Sequence, residues 1–270
     1  MTRYPLSLAA LSVLELSPAE MVSCAAEAGF SHVGLRLIPA TDREPMWPII
    51  GDTPLVRDVE RRLADTSIEV LDVEIFRIKP DTRVEDYRAA LETGARLGAH
   101  HVLVAGNDPD VSRLTETFAA LCDLGAPLGL TMDLEPMPWT DVKNLQHAAH
   151  VVAGANRPNG GLLVDPIHFD RAGNTPADIA RVPPVAFHYA QLCDAPAQRP
   201  TDTETLLHQA RAERLMPGDG GLDLKGILRA LPAGIPLGLE IPMHELARSV
   251  GAVERARRMR IKTELLLASL

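Results

Sequence analysis

The chain has 270 residues, 46% hydrophobic and 23% charged, with a formal net charge of −9 and a pI near 5.5. This composition supports one sizeable core, and the acidic balance offers no broad basic field to hold nucleic acid. No apolar run approaches the ~18 residues of a membrane span, and the scattered Cys24, Cys122 and Cys193 fit a reduced, cytoplasmic thiol set rather than a disulfide framework.

Taken in order, the chain opens with Arg3 and an apolar run from Leu6 to Leu14. The run resembles the h-region of a signal, but Pro5 leads it, Glu15 closes it, and no small-x-small cleavage site comes after it. It is read as a first strand, residues 6–12. Further strands are predicted at 32–37, 69–78, 101–105, 128–135, 161–165, 185–193 and 236–241. Helical patterns fall between them at 18–28, 56–64, 84–97, 111–124, 141–153 and 224–231, with a last helix over 252–268. Regular alternation predicts a parallel sheet covered by helices. With no linker or low-complexity run, the expectation is a single-domain (β/α)8 TIM barrel over residues 1–270, near the ~250 residues typical of that fold. Arg255, Arg257, Arg258 and Arg260 on the last helix read as a solvated face.

The strand pleat supports closure. Side chains two apart share a face. Leu130, Met132 and Leu134 alternate with Thr131, Asp133 and Glu135; Leu71, Val73 and Ile75 alternate with Asp72, Glu74 and Phe76. One face of each strand is expected to meet helices and the other the barrel interior. A doubly wound open sheet would bury both faces in apolar layers.

Polar residues gather at the C-terminal strand ends, where barrel enzymes keep their sites. They are Arg36, Glu74, Asn107, Glu135, Asp165, His168, Gln191 and Glu240. Carboxylates brought together on the barrel axis repel unless a cation joins them. Glu135, Asp165, Glu240 and the amide oxygen of Gln191 form a hard oxygen set suited to Mg2+ or Mn2+, with Co2+ a further possibility. His188 competes for the place of Gln191. It sits three residues earlier, so the strand period puts the two on opposite faces, and Gln191 is nearer the C-terminal end.

His168, three residues past Asp165, is a candidate acid, base or oxyanion donor. Glu135 and Glu240 are candidate proton carriers on the two sides of the metal. Arg36, Asn107, Arg171 and Arg214 are candidate substrate contacts, although Arg171 and Asp170 could equally form a surface pair. The long loop after the seventh strand also carries Arg211 and the turn Pro217, Gly218, Asp219, Gly220, Gly221. Arginine forks suit carboxylate or phosphate; the loop reads equally as a flexible lid with solvated charges. The turn lacks the Gly-Lys-Ser/Thr of a P-loop.

At these residues the chain resembles the sugar phosphate isomerase/epimerase superfamily, the xylose-isomerase-like barrels, over nearly its whole length. Ala25-Ala-Glu-Ala-Gly-Phe30 with Ser-His-Val-Gly-Leu resembles the family's first helix and second strand. Arg96-Leu-Gly-Ala-His-His-Val-Leu resembles its entry to the fourth strand. The resemblance implies metal ligands at Glu135, Asp165, Gln191 and Glu240, and places the family's Asp-x-x-His on Asp165 and His168. Members epimerise ketoses, isomerise hydroxypyruvate, dehydrate inososes or dehydroshikimate, or cut damaged DNA. Many sugar epimerases carry His in the seventh strand, where this chain has Gln191. Gln191-Leu-Cys-Asp-Ala and Arg211-Ala-Glu-Arg-Leu-Met-Pro-Gly resemble the dehydratase-like branches more, and the acidic balance argues against DNA repair.

The expected chemistry is metal-assisted enolisation of a small sugar, polyol or hydroxy-ketoacid. Isomerisation or epimerisation comes first, a hydro-lyase of the dehydroshikimate or inosose kind second, and a non-catalytic sugar-acid-binding barrel third. The expected partner is a small-molecule substrate, with no nucleic acid and no membrane; a homo-oligomer is left open.

Overall fold

The computed structural model describes residues 4–270. Eight strands run in the hydrogen-bonded order β6-β5-β4-β3-β2-β1-β8-β7. They are β1 (Leu6–Leu8), β2 (His32–Arg36), β3 (Glu69–Ile78), β4 (His101–Gly106), β5 (Thr131–Glu135), β6 (Gly160–Leu162), β7 (Ala190–Leu192) and β8 (Leu237–Leu239). All neighbouring pairs are parallel. The β6–β7 seam closes through a bridge between Val164 and Ala190 and a 2.9 Å bond from Gln191 N–H to Val164 O. The fold is the expected TIM barrel.

The helices are α1 (Pro18–Ala28), α2 (Pro54–Thr66), α3 (Arg88–Arg96), α4 (Val111–Gly125), α5 (Leu145–Ala155), α6 (Pro166–Arg171), α7 (Pro176–Ile179), α8 (Thr203–Arg211), α9 (Leu224–Ala230), α10 (His244–Ala247) and α11 (Ala252–Ala268). Sequence chemistry sets their limits. Ser17 and Glu20 form a reciprocal capping box before α1, Pro18 opens it, and Gly29 at φ 84° ends it. Asn144 accepts the His147 N–H at 2.9 Å, so α5 starts later than the pattern from 141 predicts. The run 84–97 divides into a 3-10 turn at Val84–Tyr87 and α3.

Several predicted strands are shorter. Arg3 of the signal-like start lies outside the described residues; the apolar run after it forms β1 and a 3-10 turn at Ala10–Val13. Only Ala190–Leu192 of the run 185–193 pairs, because Pro183 and Pro184 lead into a 3-10 turn and proline has no N–H for a ladder.

Side chains pack in two layers. The larger core lies between strands and helices; a smaller one of Leu71, Ile75, Leu103, Leu163 and Tyr189 fills the barrel interior. In β5 the alternation is as expected: Met132 and Leu134 join the outer core. In β3 it is not. Leu71 and Ile75 turn inward while Val73 and Phe76 pack outward. The register steps from Val70 to Asp72 opposite Val33 and Gly34, and from Val73 to Phe76 opposite Val102 and Val104. Each step gives β3 an extra residue, and each such bulge resets the pleat. Asp72 and Glu74 still reach the interior, where they meet Tyr189 and Arg36.

The last helix corrects a second expectation. Arg255 is buried rather than solvated, donating to Val250 O at 2.7 Å and pairing with Glu15. It thereby ties α11 to the start of the barrel. Arg257 and Arg258 pair with Glu254 on their own helix. The three cysteines are buried and free. No helix among the described residues is long and apolar enough to cross a membrane.

Ser12 fixes the strand end that carries Glu240. Its hydroxyl donates to Leu239 O at 2.8 Å and accepts the Ile241 N–H at 2.7 Å, both buried. Ser12→Ala leaves both backbone groups without a partner, at a cost of about 1–3 kcal/mol. Chemical denaturation is expected to show that loss; an unchanged midpoint and slope would mean the bonds contribute nothing.

Candidate active site

A cavity of about 740 Å3 opens at the C-terminal strand ends, and Glu74, Glu135, His168, Arg214 and Glu240 are among its walls. Glu135 ends β5, Asp165 lies just after β6, and Glu240 comes directly after β8. All three are almost fully buried. At ~4 Å and an effective dielectric of about 20, two like charges cost about 4 kcal/mol. Burial and the neighbouring Glu240 and Asp165 push the Glu135 carboxyl well above its ordinary range. Glu240 is pushed up to about 7 by burial, with Glu74 and Asp165 adding to it against Arg214. Asp165 differs: burial raises it, but Arg214, His168 and the Ile167 N–H together outweigh that and hold it low.

Arg214 is the internal counter-ion. One guanidinium nitrogen reaches Asp165 Oδ2 at 2.5 Å and Glu240 O at 3.0 Å; the other lies 2.8 Å from Glu240 Oε2. The loop supplying it is pinned, not a flexible lid. Leu215 pairs with Asp194 and Glu213 with Met243 in antiparallel bridges, and Arg214 N–H donates to Pro242 O at 2.9 Å. The glycine-rich turn is held from within, since the Asp194 carboxylate accepts the N–H groups of Gly218, Gly220 and Leu222 at 3.0–3.1 Å. A Cβ on Gly220 would lie 2.3 Å from Asp194 Oδ1. Those donors are occupied, so the turn is a brace, not an anion nest.

If all three carboxylates are ionised, one guanidinium leaves two negative charges, and this is why Glu135 and Glu240 are driven toward the protonated form unless a cation joins them. Two buried oxygens, Glu135 Oε1 and Gln191 Oε1, have no hydrogen-bond donor. Gln191 Nε2 meanwhile donates to Glu240 Oε1 at 3.1 Å. Unpaired oxygens beside uncompensated negative charge fit a divalent cation by charge and by donor type. Asp165 is also a helix cap, since its Oδ1 accepts the Ile167 N–H at 2.9 Å at the start of α6.

His168 Nε2 lies 3.7 Å from Glu135 Oε1, 3.9 Å from Asp165 Oδ2 and 3.5 Å from Arg214. Burial pushes the imidazole down to about 4, with Arg214 and Arg211 acting the same way against Asp165, so it is neutral near pH 7. Arginine only donates; accepting from it makes Nε2 the lone-pair nitrogen. Nδ1 then carries the proton, and it is buried without a partner. Trp139 packs its ring edge-on to His168 at 4.8 Å, and its own Nε1 is likewise unpartnered.

The other expected contacts divide. Arg36 lines the cavity, held by Glu74 at 2.9 Å and Glu44 at 2.8 Å. Asn107 accepts from Arg77 at 3.0 Å and so acts on the cavity through that arginine. Arg171 does not line the cavity; it is locked to Asp170, Pro196 O and Gln209. His188 is not on the outer face that the strand period predicts. It precedes β7, outside the regular pleat, and turns to Asp133 at 2.6 Å.

Arg77, Trp139 and Glu44 also line the cavity, and no sequence pattern marks them. Arg77 sits in a strand whose bulges hide its face, and Trp139 and Glu44 lie in aperiodic loops. Arg77 and Arg211 stand out because neither makes an ion pair among the described residues. Arg77 donates to Asn107, while Arg211 lies over the Trp139 ring at 5.6 Å. Burial, then Arg211, lowers the Arg77 guanidinium; burial likewise lowers Arg211.

The profile of the xylose isomerase-like TIM barrel matches residues 22–262. The chain belongs to that family. It is 30% identical over 201 residues to a 3-dehydroshikimate dehydratase of Pseudomonas aeruginosa, covering 68% of this chain and 31% of the dehydratase. The chain therefore spans about a third of that relative's length. An inosose isomerase of Bacillus licheniformis is 24% identical over 158 residues, 55% of each chain. Among solved structures, the IOLI protein with a bound zinc atom has a TM-score of 0.78 at 18% identity, each chain covered fully at 100%. The last likeness is one of fold.

Replacing Arg214 tests the charge arrangement. In chelator-treated protein, Arg214→Met leaves the buried acids without a counter-ion, and the fold is expected to lose about 3–5 kcal/mol. Equilibrium urea unfolding measures it; a variant as stable as the parent would refute the counter-ion role.

Proposed function

We propose that the chain is a divalent-metal-dependent hydro-lyase that removes water from a small hydroxyketone bearing a carboxylate, of the 3-dehydroshikimate kind. The observation that carries this reading is the pair Arg77 and Arg211, two partly buried guanidinium groups at the cavity without acidic partners. A neutral ketose or inosose would leave them repelling each other. A substrate carboxylate would satisfy both in the planar, charge-assisted geometry that arginine favours. The dehydratase relative supports the same choice.

Glu135, Asp165, Gln191 and Glu240 would hold Mg2+ or Mn2+, with Co2+ a workable substitute. Bound there, the ion supplies Lewis-acid polarisation of the substrate carbonyl. Glu135 takes the proton from the carbon beside that carbonyl. The electron pair left on carbon forms the new C=C bond as the neighbouring C–O bond breaks. His168 donates a hydrogen bond from Nδ1 to the departing hydroxyl, and Glu135 passes the proton it took to that oxygen, which leaves as water. Glu240 offers a second carboxylate on the other side of the substrate. In a ring that already holds one C=C bond, the product tautomerises to an aromatic acid. Arg36, fixed by Glu74 and Glu44, adds positive charge to the cavity wall.

The inosose isomerase relative favours a second reading: the same enolate, reprotonated on carbon, gives isomerisation or epimerisation without loss of water.

Mn2+-loaded protein incubated in D2O with dehydroshikimate, inososes, ketoses and hydroxy-ketoacids separates the two. A new ultraviolet-absorbing aromatic acid is expected from the carboxylated substrate. Arg77→Ala and Arg211→Ala are each expected to raise KM about 10–100-fold, the worth of one charge-assisted hydrogen bond, with Mn2+ content unchanged. His168→Ala is expected to keep the metal and slow turnover about 10²–10⁴-fold. Deuterium entering ketoses or inososes without water loss would replace the hydro-lyase by the isomerase. Bound metal with neither exchange nor product would leave a binding barrel.

A further inference from the structure

At the opposite, N-terminal end of the barrel, two imidazoles face one carboxylate. We propose that His101, Asp133 and His188 form a second cation site, suited to a nitrogen-seeking divalent ion such as Zn2+. Their three ligand atoms all lie within 4.8 Å of one another. His188 Nδ1 is 2.6 Å from Asp133 Oδ1 and His101 Nδ1 is 3.7 Å from Asp133 Oδ2. Each ring therefore turns the same nitrogen to a different oxygen of one carboxylate. An ion here takes the place of the proton held between His188 and Asp133.

Further observations make this a formed site. The rings are held: His101 stacks on Tyr189 at 4.9 Å and lies within 5° of parallel to His188. Thr131 Oγ1 donates to Asp133 Oδ2 at 2.6 Å, the kind of outer support that orients a metal ligand; the same oxygen lies 2.7 Å from His101 Nδ1, a contact that an ion would displace. Room is kept for the cluster as well. Gly161 pairs in register with Asp133, and a Cβ there would come within 2.4 Å of both Asp133 Oδ1 and His188 Nδ1. The His101 and His188 side chains are part-exposed, at 13% and 19%, while Asp133 is 0%. Burial pushes His101 down to about 4, whereas against burial the Asp133 carboxylate raises His188, so an ion binds here by releasing a proton from that ring.

The donor chemistry separates the two ends of the barrel. The mouth offers oxygens and suits Mg2+ or Mn2+. The floor offers two nitrogens and one oxygen, a set that ranks Zn2+ and Co2+ above Mn2+.

Chelator-treated protein is titrated with Mn2+ alone and with Zn2+ alone, and bound metal is counted after desalting. Zn2+ is expected to bind one equivalent more than Mn2+. Co2+ added to Mn2+-saturated protein is expected to develop the intense visible absorption of a low-coordinate, imidazole-bound ion. His101→Gln and His188→Gln, checked for folding by circular dichroism, are each expected to weaken that equivalent at least about tenfold, the least that losing even an outer partner costs. The difference between parent and histidine variants reads this site whether or not the mouth holds an ion. The parent chain carries the stoichiometry and the Co2+ spectrum even if a variant misfolds. Equal Zn2+ and Mn2+ stoichiometry in the parent, or an extra equivalent that survives in both variants, would overturn the proposal and leave the cluster a hydrogen-bonded clamp.

Discussion

The structure turns on buried charge at the strand ends. Glu135, Asp165 and Glu240 are almost fully buried, and Arg214 alone neutralises one of their three charges. A barrel makes this arrangement available because parallel strands deliver their C-terminal ends to one axis. It also makes the arrangement costly, since carboxylates taken out of water lose solvation that only a cation or hydrogen bonds restore. The surrounding architecture answers that cost. The segment carrying Arg214 is clamped on both sides by bridges to Asp194 and Met243, and Asp194 is itself fixed by the turn it gathers. Ser12 holds the backbone on either side of Glu240.

The remaining charge gives the cavity its chemical character. Negative charge lies deep, beside oxygens with no donor, while Arg77 and Arg211 stand on the cavity wall without acidic partners. Such a gradient would suit the proposed substrate, anionic at one end and offering oxygens to a cation at the other. His168 stands between these regions, kept neutral by burial with one N–H free. A protonated imidazole there would add a third positive group next to Arg214 and Arg211. The neutral ring instead offers its N–H to a substrate oxygen without adding charge to the wall.

Much of this is legible in the sequence where strands are regular. Glu135 ends a clean alternation, so its inward direction comes from the pleat, and β5 packs accordingly. The pleat fails where backbone regularity fails. Two bulges in β3 reverse the expected faces of Leu71, Ile75 and Phe76 and hide Arg77. His188, before β7, obeys no strand period at all. Arg214 is visible as one charge among several in a long loop, but its burial depends on bridges to residues that are distant in sequence. The same limit applies to Trp139, whose place against His168 comes from a loop without periodicity. Gly161 is a third kind of case. Its meaning lies in the room it leaves for Asp133 and His188, one strand away on either side.

The central claim is that the buried acids of the barrel mouth are completed by a divalent ion. Crystals of Mn2+-loaded protein, measured at the manganese absorption edge, test it most directly. The expected result is one strong anomalous peak at the mouth, within bonding distance of Glu135, Asp165, Gln191 and Glu240. A fully loaded crystal with no peak within reach of those four side chains would contradict it.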